Sequence, residues 1–137
     1  MSNELLISIA TIPDIEVLRE IHQLGSLSDE GVLSASLHLH NQQFGSRTLP
    51  LYQQQIVSLA MVKRAESGEI SFGCIGANEQ GDAALLGQLH QLIGKDAKLI
   101  AWDMSAHVQP LVNYRLLRYS IVSENFANAT LADLSSE

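Results

Sequence analysis

The sequence predicts an α/β fold in which helices flank a mixed sheet. Short apolar runs of strand length alternate along the chain with longer segments whose apolar residues recur at helical spacing. Two of the short runs are separated by a polar, glycine-containing stretch that is typical of a hairpin turn. A helical segment precedes the last short run, which indicates a crossover between parallel strands. The predicted sheet therefore combines an antiparallel hairpin with a parallel portion.

The first half of the chain is predicted to hold one strand and two helices. Residues 5–11 are mostly apolar on both pleat faces, which places this strand inside the sheet. Apolar residues at helical spacing follow over residues 14–24, and a second helix begins at residues 28–30 and keeps an apolar side as far as residue 39. The polar segment 41–49 is predicted to be a loop.

The second half supplies the remaining strands. Residues 56–62 and 70–76 are predicted to form the hairpin, with its turn at residues 65–69. An amphipathic helix over residues 84–93 ends at a glycine and leads into a fourth strand at residues 99–102.

A last helix is predicted to begin near Pro110, because proline is favoured in the first helical turn. Beyond this helix the sequence is polar and weakly patterned. We therefore divide the chain into a domain of residues 1–124 and a polar tail of residues 125–137. The apolar positions predicted on the inner face of the last helix are Leu111, Tyr114, Leu117 and Ile121.

Size and composition suit one globular domain. The chain has 137 residues, of which 46% are hydrophobic, enough to fill a core and too many for a disordered segment. No apolar run reaches the ~20 residues that cross a bilayer, so no membrane association is expected. Cys74 is the sole cysteine, which excludes an internal disulfide, and the N-terminus lacks the basic residues of a secretory signal. These features predict a cytoplasmic protein.

The charge balance bears on the choice of partner. The formal net charge is −7, from 8 lysines and arginines against 15 acidic residues. Proteins that bind nucleic acid without sequence preference usually present a basic face, because neutralisation of phosphates supplies most of their affinity. The composition therefore favours a protein partner or a homo-oligomer, and it leaves nucleic acid as the alternative partner.

Two segments resemble a known family. Residues 7–14, Ile-Ser-Ile-Ala-Thr-Ile-Pro-Asp, resemble a motif that reads roughly Phe-Asp-Ile-Glu-Thr-Ile-Pro-Asp in the predicted 3′–5′ exonucleases related to the exonuclease domain of family-B DNA polymerases. Residues 99–102, with Pro110, Tyr114 and Arg115, resemble a second segment of that family. The resemblance implies a ribonuclease-H-like fold and phosphodiester hydrolysis by two metal ions, Mg²⁺ or Mn²⁺.

The sequence departs from the family at the acidic positions. The two carboxylates of the family's first strand fall on Ser8 and Ala10, and the aspartate of its second motif falls on Val108. The chain ends near the place where the last aspartate motif would begin, and Asp133 is at best a vestige of it. The resemblance is thus to a degenerate member that lacks the C-terminal part of the fold.

The loss of these acids predicts an inactive domain. Two-metal catalysis holds two cations ~3.5–4 Å apart, and hard cations need oxygen ligands, chiefly carboxylates. Serine offers only a neutral hydroxyl, whereas alanine and valine offer no ligand. We therefore expect no catalytic residue, no bound metal and no cofactor, and we interpret the chain as a pseudoenzyme that serves as a binding or interaction module.

An active enzyme is the alternative interpretation. In this case the chain would be a metal-dependent 3′–5′ exonuclease that uses Mg²⁺ or Mn²⁺ and assembles its acids elsewhere. Asp103 and Asp14 are candidates for a relocated set, and the polar tail could supply residues to a neighbouring subunit. For Asp14, a role at the start of a helix is the simpler interpretation.

Candidate binding residues cluster after the fourth strand. Trp102 could stack on bases, although a tryptophan that ends an inner strand is more often part of the core. Cys74 is likewise predicted to be a small core residue. Arg115 and Arg118 are predicted on the outer face of the last helix, within reach of a phosphate or in solvent. The full set of candidates is Trp102, Asp103, His107, Tyr114, Arg115 and Arg118.

Overall fold

The structure of the protein is a computed structural model, and it describes residues 3–78 and 81–136, without the side chain of Ser136. These residues form five strands and five α-helices, joined by 3₁₀ turns and one π-helical turn. In chain order the elements are β1 (Glu4–Pro13), α1 (Ile15–His22), α2 (Asp29–Phe44), β2 (Gln54–Arg64), β3 (Ile70–Gly76), α3 (Ala83–Ile93), β4 (Lys98–Ala101), the π-helical turn (Met104–Val108), α4 (Gln109–Arg118), α5 (Glu124–Asn128) and β5 (Thr130–Asp133).

The five strands form one mixed sheet in the order β3-β2-β1-β4-β5. β2 and β3 pair antiparallel as a hairpin, whereas β4 pairs parallel with both β1 and β5. The predicted mixed sheet is therefore confirmed, and so is the prediction that the first strand lies inside it. The first strand is longer than predicted and extends to Pro13.

The hairpin turn is also confirmed. Arg64 pairs with Ile70 across the strands, and Ala65 donates its backbone N–H to the carbonyl of Glu69. Gly68 adopts a φ of 90°, a conformation that glycine reaches without the steric penalty of a Cβ. Turn chemistry therefore fixes the register of the two strands.

The chain forms two compact units, one of residues 1–11 with 56–137 and one of residues 12–55. The larger unit, called the sheet unit below, has its core on one face of the sheet. There α3, α4 and α5 bury apolar side chains against the strands. The main contributors are Leu5, Ile7, Leu59, Leu89, Leu99, Leu111 and Phe126.

The smaller unit is built around α1 and α2. The Asp14 carboxylate caps α1 by accepting hydrogen bonds from the backbone of Glu16 and Val17, at 3.1 and 3.3 Å. This confirms its predicted role at a helix start. α2 continues to Phe44 and ends at Gly45 with a φ of 70°, so the prediction of a loop from residue 41 is wrong for residues 41–44. Polar residues there extend the solvent side of the helix.

The C-terminal elements differ from the prediction. The segment predicted as a polar tail contains α5, the strand β5 and a 3₁₀ turn over Leu134–Ser136. β5 is short, but its backbone pairs along the whole of β4, which a side-chain pattern of four residues cannot reveal. The last predicted helix, α4, ends at Arg118, so Ile121 reaches the core from a loop. Tyr114 and Leu117 are exposed rather than on its inner face.

No helix among the described residues is long and apolar enough to cross a membrane.

Candidate functional site

The sheet unit has an apolar face opposite its helices. Side chains alternate across a strand, so the residues that flank the buried positions of β1, β2 and β4 project to this second face. Val62 pairs with Phe72, and Ala60 pairs with Cys74, across the hairpin. Phe72 is 85% exposed. The second face is therefore rich in apolar side chains that reach solvent.

A hollow of about 780 Å³ lies on this face, and we call it the apolar hollow. Its floor comes from β1, β2 and β3, and its wall comes from the segment after β4. Cys74 is exposed rather than in the core as predicted, because it lies on the edge strand β3, where it lines the apolar hollow. The residues that line the apolar hollow include Leu6, Ser8, Val62, Phe72, Trp102 and Val108.

The positions that the resemblance equates with the family's acids lie at or beside this hollow. Ser8 and Ala10 are exposed on β1 and point to the second face, two residues apart. Val108 is buried at the end of the π-helical turn and lines the hollow together with Ser8. Together they present one hydroxyl, one methyl and one isopropyl group. This set does not fit a pair of divalent cations, because it lacks anionic oxygen ligands.

The described residues offer no alternative cluster of metal ligands. Within residues 3–78 and 81–136, no three His, Cys, Asp or Glu side chains come together in a way that could hold a metal ion. Asp103 has a left-handed backbone with a φ of 54°, and its carbonyl accepts the backbone N–H groups of His107 and Val108. Its contribution to the π-helical turn is thus made by the backbone.

Asp133, the vestige suggested by the sequence, holds two turns together. Its carboxylate accepts hydrogen bonds from the hydroxyl and backbone N–H of Ser135, at 2.6 and 3.0 Å, and from the same two groups of Ser105, at 2.8 and 3.1 Å. These bonds, led by the one from the Ser135 hydroxyl, hold the pKa of Asp133 well below its usual range. The four donors occupy the oxygens that a cation would need.

Trp102 does not plug the core. It follows the last residue of β4, where the chain turns away from the sheet, and 67% of its surface is exposed on the wall of the apolar hollow. His107 lines the same hollow. Tyr114 and Arg118 lie on the exposed side of α4 and are not part of the lining. The structure thus groups two of the six binding candidates, Trp102 and His107.

The position of Arg115 differs clearly from the prediction. It was predicted on the outer face of the last helix, but it is only 2% exposed. Its Nε and Nη2 donate to the two oxygens of the Asp82 carboxylate at 2.8 and 2.9 Å, and Nη2 also donates to the Tyr119 hydroxyl at 3.2 Å. This bidentate pair removes Arg115 from the set of residues available to a phosphate.

The network closes on Asp82. The Tyr119 hydroxyl donates to Asp82 at 2.6 Å, and the backbone N–H of Ile56 donates to it at 2.9 Å. Burial favours the neutral acid, but the hydrogen bonds from Arg115, Tyr119 and Ile56 outweigh it and lower the pKa of Asp82. Burial and the neighbouring carboxylate raise the pKa of Tyr119. The network therefore joins the starts of β2 and α3 to α4.

Sequence reasoning missed Asp82, Tyr119 and the exposed face. Asp82 precedes a helix and has the pattern of a capping residue, yet its side chain makes no cap bond and turns inward. A signal for the face was present in the alternation of Ile70, Phe72 and Cys74 with small or polar residues.

Comparison with known proteins agrees with this architecture. A family model described as a predicted 3′–5′ exonuclease related to the exonuclease domain of PolB matches residues 46–136. The chain belongs to this family. The resemblance found in the sequence is thereby confirmed. None of the curated proteins matches the sequence.

Solved structures of exonuclease domains share the ribonuclease-H-like fold of this chain. The family-B DNA polymerase of the hyperthermophilic archaeon Pyrobaculum calidifontis aligns with a TM-score of 0.57 at 9% identity over 98% of this chain and 16% of the polymerase. E. coli exonuclease I in complex with a dT13 oligonucleotide aligns with a TM-score of 0.60 at 7% identity. The alignment covers 98% of this chain and 28% of the exonuclease I chain. An exonuclease I complex with SSB-Ct aligns with a TM-score of 0.59 at 8% identity, over 98% of this chain and 28% of that exonuclease I chain. The chain spans less than a third of each of these proteins.

Proposed function

We propose that this exonuclease-like domain is catalytically inactive and acts as an interaction module. The observation that carries the proposal is the chemistry of the apolar hollow. Ser8 and Val108 line it where the family resemblance places acids, and Ala10 lies beside them on β1. A surface of this kind offers apolar contact area and almost no charge.

Electrostatics explains why such a surface does not support hydrolysis. Two divalent cations bring four positive charges close together, and carboxylates both ligate them and neutralise them. One neutral hydroxyl neutralises no charge and supplies at most one weak ligand, so the ions stay in water, where their hydration is favourable. The carboxylate of Asp133 is already bonded to Ser105 and Ser135.

A protein partner fits the hollow better than a nucleic acid does. Exposed aromatic side chains such as Phe72 and Trp102 are typical anchors of protein interfaces. A net charge of −7 opposes approach of a phosphate backbone, and Arg115 is engaged with Asp82. The exonuclease I structures are described with both kinds of partner, SSB-Ct and an oligonucleotide. For this chain we propose a protein as the main partner and nucleic acid as the alternative. We propose the cytoplasm as the location of the chain.

A digestion assay tests the proposed inactivity. The purified chain is incubated with a 5′-labelled single-stranded oligonucleotide and Mg²⁺ or Mn²⁺, and we expect no shortening from the 3′ end. Asp103→Ala serves as the matched variant, because Asp103 is the exposed acid next to the hollow. Metal-dependent digestion that Asp103→Ala abolishes would establish the alternative, an enzyme with a relocated acid set.

Fluorescence anisotropy tests the order of partners. A labelled single-stranded oligonucleotide is titrated with the chain at low and at physiological salt. We expect no saturable binding at physiological salt, because scattered basic residues on an acidic protein release few counterions. Binding that persists there and weakens in Trp102→Ala would place nucleic acid first.

A further inference from the structure

We propose that the second face of the sheet binds the same face of another copy of this chain, sheet against sheet. The inference rests on the proposed function, since it names the partner of the interaction module. The face extends beyond the apolar hollow, because Ile100 on β4 and Ala132 on β5 are register partners that continue the rows set by Leu6 on β1. It therefore crosses all five strands.

The fold itself calls for a second layer here. β1, β4 and β5 are parallel, and parallel strands are normally covered on both faces. α3, α4 and α5 all pack in the core of the first face. The second face keeps Leu6, Val62, Phe72 and Trp102 in solvent, each more than two-fifths exposed. Contiguous apolar surface of this kind marks an interaction site.

The area matches what a dimer needs. Strands of 10, 11, 7, 4 and 4 residues, about 4.8 Å apart and rising ~3.3 Å per residue, project an area of about 570 Å². A face that pairs with itself therefore covers about 1,100 Å² over both copies before side-chain relief is counted, which reaches the lower bound for a specific interface. Isologous pairing uses one patch twice and closes at two copies.

The charges around the face select the orientation. Lys98 lies at the amino end of β4, and Asp103 lies just past its carboxyl end. Arg64 and Glu4 form an ion pair at 2.7 Å and neutralise each other. A two-fold axis in the plane of the sheets and perpendicular to the strands sets β4 over β4 in opposite directions. Lys98 of each copy then approaches Asp103 and Trp102 of the other, so opposite charges meet and the ammonium can lie near the indole. A two-fold axis that instead ran along β4 would bring Lys98 over Lys98 and Asp103 over Asp103, so like charges would meet.

The sole tryptophan makes this interface directly measurable. Trp102 is 67% exposed in the single chain and is covered in the proposed dimer. We expect sedimentation analysis to show 15.0 kDa chains combining into pairs as the concentration rises. Over the same range, Trp102 emission should shift to shorter wavelength and its quenching by iodide should fall. Edge-to-edge pairing through β3 would also give pairs, but it would leave Trp102 accessible because β2 and β1 separate β3 from β4.

Two sets of variants test the face and the orientation. Phe72→Glu should abolish pairing, whereas Val122→Glu should not, because Val122 is equally exposed, at 85%, but lies outside the sheet. Lys98→Glu and Asp103→Lys should each weaken pairing at least tenfold. The double variant should restore pairing, because positions 98 and 103 of the two copies again carry opposite charges. Circular dichroism verifies that each variant is folded.

The outcomes separate this inference from the proposed function. Pairs with a protected Trp102 and rescue by the double charge reversal support it. A chain that stays single up to ~1 mM, a concentration that detects even weak affinity, overturns it, and so does pairing that leaves Trp102 accessible. The digestion assay on the same samples reports inactivity independently. A single, inactive chain would therefore refute the dimer alone, whereas metal-dependent digestion would refute the proposed function.

Discussion

The buried pair of Asp82 and Arg115 gives a sharp prediction about stability. Asp82→Ala leaves the guanidinium of Arg115 buried without its carboxylate, and it frees the donors of Tyr119 and Ile56. Asp82 is fully buried and Arg115 is 2% exposed, so water cannot replace the lost partner. We expect the variant to lose about 3–5 kcal/mol of the free energy of unfolding, the usual cost of removing one member of a buried ion pair.

This loss is large against the total. A domain of this size has roughly 5–15 kcal/mol of stability, so the variant should melt about 10–20 °C lower in a thermal scan followed by far-UV circular dichroism. Arg64→Ala is the matched control, because it breaks the exposed pair with Glu4, which contributes ~1 kcal/mol at most. The two experiments differ chiefly in the burial of the ion pair.

A double-mutant cycle shows whether the cost belongs to the pair. Asp82→Leu with Arg115→Met replaces both charges by apolar groups and should cost clearly less than the two single changes added together. Effects that simply add, or an Asp82→Ala variant that loses less than ~1 kcal/mol, would refute the view that Asp82 and Arg115 form a coupled, desolvated pair.

Further predictions concern Gly81 and pH. Gly81→Ala should cost about 1–3 kcal/mol in chemical denaturation, because φ is 105° and the new Cβ would lie 2.9 Å from the Tyr119 hydroxyl. Gly87→Ala, in the middle of α3 with open space around it, should stabilise by ~0.5–1 kcal/mol, and the opposite ranking would contradict this. The pKa of Asp82 is lower in the folded chain than its ordinary value of 3.8, so ionised Asp82 stabilises the fold at pH values above 3.8. This stabilisation is lost as the pH falls from 3.8 through the lowered pKa of the folded state. The free energy of unfolding of Asp82→Asn should therefore change less between neutral and acid pH. Equal acid dependence in both proteins would exclude Asp82 as the cause.

The architecture could be predicted because periodicity encodes it. The apolar run of β1 predicted a place inside the sheet, where the structure puts it, although its second face is exposed, and the Gly68 turn specified the hairpin. β5 could not be found in the same way, because Leu131 is the single large apolar residue among its four and the strand is defined by backbone pairing with β4. Residues 41–44 were misassigned because a polar helix side resembles a loop in sequence.

The site was harder to predict because it depends on tertiary partners. Arg115 was assigned to solvent by helix periodicity, but Asp82, 33 residues away, compensates its burial. Trp102 was assigned to the core as the last residue of an apolar strand, but β4 ends at Ala101 and the left-handed backbone of Asp103 turns the chain there. Only the resemblance pointed to Ser8, Ala10 and Val108, whose significance lies in the acids that they replace.

Calorimetric titration with Mn²⁺ tests the central claim most directly. The chain should show no saturable binding, because Ser8, Ala10 and Val108 offer no anionic oxygen where the family resemblance places acids. Ser8→Asp with Ala10→Glu places two carboxylates on the same exposed face of β1 and should gain measurable Mn²⁺ binding, which shows that the method detects a site there. Saturable micromolar binding by the unaltered chain would contradict the account.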